Sequence, residues 1–341
     1  MFFTSFKSPL KKHFKTIFSP STIKPLNSFK QCIMQKMQTK QELQQLLLQL
    51  YITQAFDHRA KMLQKTGHIG TFPSSKGQEH LFVSLANHLT INDWYCPYYR
   101  DHGALITRGM PIHALFQYWA GDERGNSAIP PHTLPINIPI GSQCAHATGI
   151  AWSLKHQDAI CLVTLGDGAT SKGEVYESLN FAQIHKLPIL FVVNNNQFAI
   201  STALSQQSSN PLIANKFSNI ISTAHIPHGP ILEIDQKIKA EITKVKTTRS
   251  PLLLEVMTLR LDPHTTNDDA LIYRSSKDIE LDNTQYPISQ FEQFLLSQNL
   301  LSAQNIQSIK TSARATVDQA AQHFLNAPSQ ETNHINDYLY A

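Results

Sequence analysis

The sequence predicts an α/β fold in which a central, mostly parallel sheet is flanked by helices. Two short apolar runs, residues 160–165 and 189–193, have the length and composition of strands buried on both faces. The connection between them carries Val175, Leu179 and Ala182 at helical spacing and ends before Pro188. A strand, a helix and a second strand in this order form a unit with a right-handed crossover, so the two strands are expected to be parallel.

The remaining elements follow from the same patterns. Residues 41–65 read as a helix whose apolar positions recur at helical spacing, and a second helix is expected near Gly77. Residues 252–260 read as another buried strand, and the chain from about Ser289 reads as helices. In the connection at 166–188, Ser171 and Glu174 have the spacing of a capping box, which predicts that the helix begins there.

Polar residues follow both strands of the first unit. Asp167 comes directly after the first strand, and residues 194–196, all Asn, come directly after the second. Because the carboxyl ends of parallel strands meet at one edge of a sheet, where ligands bind in folds of this class, we expect Asp167 and Asn196 to lie close together.

These residue types suit a magnesium diphosphate. Asp167 offers an anionic oxygen and Asn196 a neutral one, and both are ligand types that Mg²⁺ prefers. The backbone N–H groups of Gly168 and Ala169, next to the predicted helix, can bind phosphate oxygens. Ordinary turns after strands use the same residues, but the paired strand ends favour the diphosphate interpretation.

The stretch that contains Asp167 and the three asparagines resembles a known family. Its GDG, followed by NN after the next strand, resembles the thiamine diphosphate motif, and the continuation reads NNNQFAIST. That continuation is similar to the alpha subunits of the decarboxylating component of 2-oxo acid dehydrogenase complexes. The similarity covers roughly residues 41–340. It implies a thiamine diphosphate-binding fold, with thiamine diphosphate and Mg²⁺ as cofactors.

The resemblance assigns cofactor contacts before the central motif. The segment YYRDHG places Tyr99 and Arg100 where family members contact the diphosphate, and an Arg fork pairs well with phosphate oxygens. The alternative for Arg100 is a surface salt bridge. His102, in the same segment, is a candidate catalytic residue, although a histidine there can also be a packed or hydrogen-bonding residue.

A second segment is PIGSQCAHATGIA. In the family, the residue that matches Ile140 packs beneath the cofactor between its two rings, and Ile138 contributes through its backbone. From the residues alone, Ile140 would be a core residue, because Ile is among the most often buried residue types.

A third segment, LDPHTTNDDALIYRS, matches the family loop in which a histidine touches the cofactor diphosphate. His264 is therefore a candidate catalytic and cofactor-binding residue. Arg274 is near enough in sequence to pair with Asp268 or Asp269. Animal members carry a regulatory serine after this histidine, but the residue here is Thr265, so control by phosphorylation is not predicted.

The metal site implied by the resemblance consists of Asp167, Asn196 and the backbone carbonyl of Phe198. Phe198 often corresponds to Tyr in the family, and a Phe carbonyl should serve equally. Asn194 stands where some members have an Arg that strengthens diphosphate binding, so cofactor affinity is expected to be weaker.

The implied reaction is oxidative decarboxylation of a 2-oxo acid with reductive acylation of the lipoyl group on the transacylase component. In this family the glutamate that activates the cofactor lies on a separate beta subunit. An alpha2beta2 heterotetramer with the lipoyl domain as a further partner is expected. A pyruvate dehydrogenase is the favoured activity. A 2-oxoisovalerate dehydrogenase and an acetoin dehydrogenase are the alternatives.

Composition sets the remaining expectations. A chain of 341 residues with 41% hydrophobic content can bury a large core, its four cysteines lack C-x-x-C spacing, and no apolar run approaches the roughly 18 residues needed to span a membrane. The first 41 residues hold eight Lys and no Asp, Glu or Arg, so the net charge of +4 becomes −4 for the remaining 300. No motif supports nucleic-acid binding.

The domain boundaries follow from this charge pattern. Residues 1–40 are interpreted as a basic extension, either a disordered tail, a targeting peptide or an upstream start before Met34 or Met37, and residues 41–341 as the cofactor-binding domain. The Lys bias favours a bacterial cytoplasm, with the mitochondrial matrix as the alternative.

Two other functions fit the sequence less well. A self-sufficient thiamine enzyme would need both cofactor halves in one far longer chain. A non-catalytic scaffold subunit would not need Asp167, Asn196, Arg100 and His264 together.

Overall fold

A five-stranded, entirely parallel sheet lies at the centre of the computed structural model, which describes residues 39–328. The order across the sheet is β1-β2-β3-β7-β6, and a two-stranded antiparallel hairpin, β4 and β5, lies apart from it. The strands are β1 (Trp94–Cys96), β2 (Cys161–Gly166), β3 (Ile189–Asn195), β4 (Phe198–Ala199), β5 (Thr202–Ala203), β6 (Ser222–Ile226) and β7 (Leu252–Met257). The α/β class and the three predicted strands are confirmed.

Helices cover both faces of this sheet. In chain order they are α1 (Lys40–Lys65), α2 (Glu79–Asn87), α3 (His102–Thr107), α4 (Ile112–Trp119), α5 (Ser142–Ser153), α6 (Gly173–His185), α7 (Leu204–Gln207), α8 (Ile213–Phe217), α9 (Ile231–Thr248), α10 (Ser276–Thr284), α11 (Pro287–Ser297) and α12 (Ala303–Asn326). The predicted helices at 41–65, near Gly77 and after Ser289 correspond to α1, to α2 and to α11 with α12.

The described residues from Gln44 to Pro328 belong to one compact unit. Of the unit before it, the structure describes only residues 39–43, where Thr39 and Glu42 exchange capping hydrogen bonds at the start of α1. The expectations for the basic extension therefore lie outside the described residues, except at its last two positions. No helix in the described range is long and apolar enough to cross a membrane.

The strands divide the core into two layers because successive side chains point to opposite faces. On β3, Leu190 and Val192 belong to the cluster that packs under α2, α4 and α9. Phe191 and Val193 belong to the second cluster, which packs under α5, α6 and α8. Strands buried on both faces in this way require the continuous apolar runs seen in the sequence.

The strand register brings the polar ends together. Gly166 pairs with Asn194 between β2 and β3, and Asn195 pairs with Met257 between β3 and β7. The carboxyl ends of three neighbouring parallel strands therefore lie side by side. The loops that leave these ends form the cavity described below.

The predicted capping box at Ser171 and Glu174 is wrong. A 3₁₀ turn, Asp167–Ser171, follows β2, and α6 begins at Gly173 after Lys172, without a side-chain cap. Ser171 instead accepts a hydrogen bond from Gln207. The tight turn after β2 moves the start of the helix past the position that the spacing indicates.

Candidate active site

A cavity of about 520 Å³ opens at the carboxyl ends of β2 and β3. Its size lies within the usual range for sites that bind cofactors and small molecules. All the predicted site residues except His102 line it, namely Tyr99, Arg100, Ile138, Ile140, Asp167, Gly168, Ala169, Asn196, Phe198 and His264. Segments that are far apart in the sequence thus meet around one space.

Asp167 is the charged residue at the end of β2. It is only 1% exposed, and its Oδ2 has no hydrogen-bond partner among the described residues. Burial raises the pKa of Asp167 to about 6, although the positive charges of Arg260 and Arg100 lower it in part. A buried carboxylate oxygen without a partner is costly, and a bound cation is the ordinary way to satisfy it.

Gly168 follows at a point where the backbone has no room for a side chain. A Cβ added there would lie 2.8 Å from the Cβ of Ala199 on β4. A glycine is therefore required for the turn after β2 to approach the hairpin this closely. The hairpin also lines the cavity, through Phe198 and Ala199.

The three consecutive asparagines have different surroundings. Asn194 and Asn196 both donate from Nδ2 to Oε1 of Gln78, at 2.7 and 3.0 Å. Asn195 points to the other side of β3, where it donates to Glu255 at 2.7 Å. The three side chains alternate between the two sides of the chain, as in a β-strand. Of the three, Asn196 lines the cavity.

Arg100 is buried, with 1% exposure, so the alternative of a surface salt bridge is wrong. Its Nη1 donates to the carbonyl oxygen of Ser74, and its Nη2 contacts the carbonyl oxygen and Nδ1 of His264, both at 3.2 Å. Its Nε has no partner among the described residues. Arg100 therefore joins two loops of the cavity wall.

His264 lies in the loop after β7. Burial and the charges of Arg100 and Arg260 lower the pKa of His264 to about 4, so its imidazole is neutral near pH 7. Asp268 accepts hydrogen bonds from the backbone N–H of His264 and from the hydroxyl of Tyr273, at 2.6 and 2.5 Å. These bonds hold the histidine at the cavity.

The expected pairing of Arg274 with Asp268 or Asp269 is wrong. Arg274 pairs with Asp282 of α10 and donates to the carbonyl oxygen of Arg260. The carboxylate of Asp269 accepts from the N–H of Leu271 at the start of a 3₁₀ turn. Proximity in sequence did not predict the partner because the chain turns between Asp269 and Arg274.

Phe198 lines the cavity, but its carbonyl oxygen already has a partner. Nη1 of Arg260 donates to that oxygen at 3.2 Å, and Nη2 of Arg260 donates to the carbonyl of Ile200 at 2.7 Å. A carbonyl oxygen has two lone pairs, so one of them is available to a metal ion. Arg260 also fixes the orientation of the β4–β5 hairpin.

Ile138 and Ile140 are 48% and 46% exposed. Neither residue therefore belongs to the core. Residue type alone would have predicted that Ile140 does. Both lie in the segment before α5 that lines the cavity. They present apolar surface where a ring of a bound molecule could pack.

A family model described as the dehydrogenase E1 component matches residues 49–333 of this chain. The chain belongs to this family. Dehydrogenase E1 components are oxidoreductases that in general depend on thiamine diphosphate, so the family resemblance seen in the sequence is confirmed.

Curated bacterial relatives agree with this assignment. The chain is 29% identical to the pyruvate dehydrogenase E1 component subunit alpha of Mycoplasma genitalium, over 89% of this chain and 86% of the relative. It is 30% identical to the 3-methyl-2-oxobutanoate dehydrogenase subunit alpha of Mycobacterium tuberculosis, over 86% and 81%. It is 29% identical to the 2-oxoisovalerate dehydrogenase subunit alpha of Bacillus subtilis, over 89% and 96%.

The cavity of this E1 chain fits the diphosphate end of the family cofactor. Asp167 Oδ2 and Arg100 Nε are buried polar atoms of opposite charge without protein partners in the described range. A metal ion would satisfy the carboxylate, and a phosphate oxygen would satisfy the guanidinium. The unpartnered atoms are thus of the two types that a metal diphosphate needs.

His102 differs from the other predicted residues. It is fully buried behind the cavity wall, where its ring stacks on Phe72 at 4.9 Å between centroids. Its Nε2 accepts from the indole N–H of Trp119 at 3.0 Å, and burial lowers the pKa of His102 to about 3. Trp119 itself lines the cavity, so His102 contacts the cavity wall through this hydrogen bond.

Sequence reasoning missed the buried polar residues that bond the asparagines after β3, one of which, Tyr98, also lines the cavity. Gln78 bonds Asn194 and Asn196, the hydroxyl of Tyr98 accepts from Asn194 at 2.8 Å, and Thr258 donates to Asn194. Gln78, Tyr98 and Thr258 lie far apart in sequence, so no local pattern marks them as neighbours.

A second, larger cavity of about 730 Å³ lies between α1, α11 and α12. None of the predicted site residues lines it. Its charged side chains are largely paired with one another, as in the pairs Lys310–Glu292 and Arg59–Asp318. The unpartnered carboxylate oxygen of Asp167 favours the smaller cavity as the active site, since no carboxylate that lines the larger cavity has such an atom among the described residues.

Proposed function

We propose that this chain is the alpha subunit of a pyruvate dehydrogenase and that its cavity binds the magnesium diphosphate of thiamine diphosphate. The observation that carries the proposal is that Oδ2 of buried Asp167 has no partner among the described residues, in a cavity that Asn196 also lines at the end of the adjacent parallel strand. A scaffold subunit has no use for a buried carboxylate without a partner.

The metal ion would be held by Asp167, Asn196 and the backbone carbonyl of Phe198. The described residues contain no group of three or more His, Cys, Asp or Glu side chains that could hold a metal ion. Mg²⁺ accepts such a sparse protein site when phosphate oxygens complete its octahedron. This donor set therefore suits a metal ion that arrives with a diphosphate.

The phosphate oxygens would be bound by Tyr99, Arg100, His264 and the N–H groups of Gly168 and Ala169. Neutral His264 can donate one ring N–H without adding charge, while Arg100 supplies the positive charge. Ile138 and Ile140 would support the rings of the cofactor from the apolar side of the cavity.

The bound cofactor supplies the decarboxylation chemistry, and the protein supplies binding and orientation. The subunit names of the relatives support a beta subunit as partner, and we propose that it completes the site in an alpha2beta2 heterotetramer. The lipoyl domain of a transacylase would receive the acyl group. The bacterial relatives favour a bacterial cytoplasm over the mitochondrial matrix.

The substrate is proposed from the relatives. Pyruvate is named for those of Mycoplasma genitalium and Mycoplasma pneumoniae, both 29% identical. Branched-chain substrates are named for the Mycobacterium tuberculosis and Bacillus subtilis relatives, which are 30% and 29% identical, so a branched-chain 2-oxo acid is the second candidate. The assay is reconstitution with the beta subunit, followed by comparison of kcat/KM for pyruvate, 2-oxoisovalerate and acetoin.

The cofactor site is tested by Asp167→Ala in the assembled enzyme. We expect calorimetry to show loss of magnesium-dependent thiamine diphosphate binding, while the melting temperature without cofactor stays close to that of the unsubstituted protein. Asp158→Ala, at an exposed position, is the matched control and should bind normally. Unchanged cofactor affinity in Asp167→Ala would rule out the proposed metal site.

A further inference from the structure

We infer that Gln78 is a positioning residue for the metal site, which it serves by fixing the side-chain amide of Asn196. Gln78 immediately precedes α2, is fully buried and does not line the cavity. It lies one hydrogen bond behind Asn196 and also contacts Asn194. The inference rests on the metal site of the proposed function and concerns a residue that has no assigned role there.

The orientation of the Asn196 amide follows from a group that can only donate. The backbone N–H of Phe198 lies 3.2 Å from one side-chain atom of Asn196, so that atom must be the oxygen, Oδ1. The nitrogen Nδ2 then lies on the other side, 3.0 Å from Gln78. Since Nδ2 also only donates, the atom of Gln78 facing it must be Oε1.

The same oxygen of Gln78 accepts from Asn194, at 2.7 Å. Nδ2 of Asn194 also donates to the hydroxyl of Tyr98, at 2.8 Å. One glutamine oxygen therefore holds two asparagine amides on the cavity side of β3. Asn194 is fully buried and Asn196 is 7% exposed, so loss of this acceptor would leave donors that have little access to solvent.

The consequence concerns which atom of Asn196 faces a metal ion. The N–H of Phe198 uses one lone pair of Oδ1, and the second lone pair remains for coordination. A rotated amide would present its NH₂ hydrogens, which repel a cation. Gln78 stabilises the coordinating orientation by giving Nδ2 a partner away from the cavity.

Residues that orient metal ligands in this way have a measurable effect. Their substitution typically lowers metal affinity about tenfold to a hundredfold. We expect the same range for a variant of Gln78 that lacks an acceptor oxygen. A residue that only filled space would change the melting temperature but not the affinity for metal.

The experiment uses the assembled alpha–beta enzyme with saturating thiamine diphosphate. Mg²⁺ is titrated by calorimetry, and Mn²⁺ is titrated as a spectroscopic probe by electron paramagnetic resonance. Gln78→Met keeps the side-chain length and replaces the acceptor oxygen by a thioether, which accepts only weakly. Gln78→Glu keeps an oxygen that can accept from both asparagines, and Gln117→Met changes another buried glutamine as the control.

We expect Gln78→Met to weaken affinity for both metals about tenfold to a hundredfold, with kcat restored at high Mg²⁺. Gln78→Glu and Gln117→Met should bind both metals nearly as the unsubstituted enzyme does. If Gln78→Met does not fold, Gln78→Ala removes the acceptor by truncation and takes its place with the same expected outcomes.

Two results would overturn the inference. One is unchanged metal affinity in Gln78→Met, and the other is an equal loss in Gln117→Met. The Asp167→Ala variant distinguishes failure of the proposed role of Gln78 from failure of the proposed metal site. If Asp167→Ala loses metal binding while Gln78→Met keeps it, only the role of Gln78 is wrong. If Asp167→Ala also keeps it, the metal site itself is wrong.

Discussion

Single residues in this protein have roles that depend on the direction in which the backbone points them. Asn194, Asn195 and Asn196 are chemically identical and adjacent, yet only Asn196 lines the cavity. Asn195 lies on the opposite side of β3 and bonds Glu255, which also accepts from the N–H of Ala214 in α8. The strand period of two separates a candidate metal ligand from a structural residue.

Gly168→Ala tests whether the turn after β2 lies too close to the β4–β5 hairpin to accept a side chain. Gly168→Ala would place a Cβ 2.8 Å from that of Ala199, and overpacking of this kind typically costs about 1–3 kcal/mol. Gly149, inside α5, has no atom within 4 Å of an added Cβ. Gly149→Ala should therefore stabilise the chain by up to about 1 kcal/mol through helix propensity.

Urea denaturation of both glycine variants measures these changes in the free energy of unfolding. The two variants are expected to shift it in opposite directions. A neutral or stabilising effect of Gly168→Ala would show that the turn after β2 adjusts freely, against the tight contact described above.

At Glu79, a buried carboxyl predicts a pH dependence of stability. Glu79 accepts from the hydroxyl of Tyr286 at 2.8 Å and from the N–H of Gly77 at 2.7 Å, and burial raises its pKa from 4.5 to about 7. Because the folded-state pKa is the higher one, the stabilisation is fully present below pH 4.5 and is lost as the pH rises through about 7.

The Glu79→Gln variant cannot ionise at this position. The difference in free energy of unfolding between the variant and the unsubstituted protein should therefore shift in favour of the variant as the pH rises from 5 to 8. The expected shift is on the order of 3 kcal/mol. Urea unfolding at both pH values measures it, and Glu177→Gln, at an exposed position, is the control. Parallel pH profiles for Glu79→Gln and the unsubstituted protein would contradict the raised pKa.

At the scale of elements, the loop after β7 depends on a few hydrogen bonds for its shape. Asp268 accepts from His264 and Tyr273, while Arg274 at the end of the loop is anchored to α10. Leu271 and Ile272 are strongly exposed at the 3₁₀ turn between these anchors. The loop is therefore held at its two sides, with an apolar tip in solvent.

Asp268→Ala is expected to release this loop. Each hydrogen bond to a charged acceptor contributes about 1.5–3 kcal/mol, and the variant removes those to His264 and Tyr273. Limited proteolysis should cut residues 262–275 faster, and calorimetry should show weaker thiamine diphosphate binding. Asp269→Ala, which loses the bond from Leu271, is the matched control. Equal cleavage of both variants would mean that Asp268 does not anchor the loop.

At the scale of the whole molecule, the cavity has an open apolar rim. Ile138, Ile140 and Ile200 line it and are 48%, 46% and 55% exposed. Exposed apolar residues at a site edge are typical of surfaces that another protein covers. This agrees with a site that a beta subunit completes.

The purified chain alone is expected to show no decarboxylation of 2-oxo acids, because we propose that a beta subunit completes the site. Addition of the beta subunit should restore activity, as measured by reduction of an artificial electron acceptor in the presence of thiamine diphosphate and Mg²⁺. Substantial activity of the chain alone would exclude the divided site.

The sequence predicted the parts of the fold that depend on local pattern. Continuous apolar runs indicated the buried strands, and helical spacing indicated α1, α6 and the C-terminal helices. The same reasoning failed where a contact depended on the path of the chain. The helix after β2 begins beyond Ser171, and Arg274 pairs with Asp282, because the intervening turns change which groups meet.

By itself, the sequence determined the fold class, the family and most residues of the candidate site, because motifs next to strand ends carry that information. Only the tertiary structure decided that His102 lies behind the cavity wall and that Gln78 bonds Asn194 and Asn196. It also decided that one oxygen of Asp167 has no partner within residues 39–328. Burial and hydrogen-bond partners arise from segments distant along the chain, and strand and helix periodicity does not encode which of them meet.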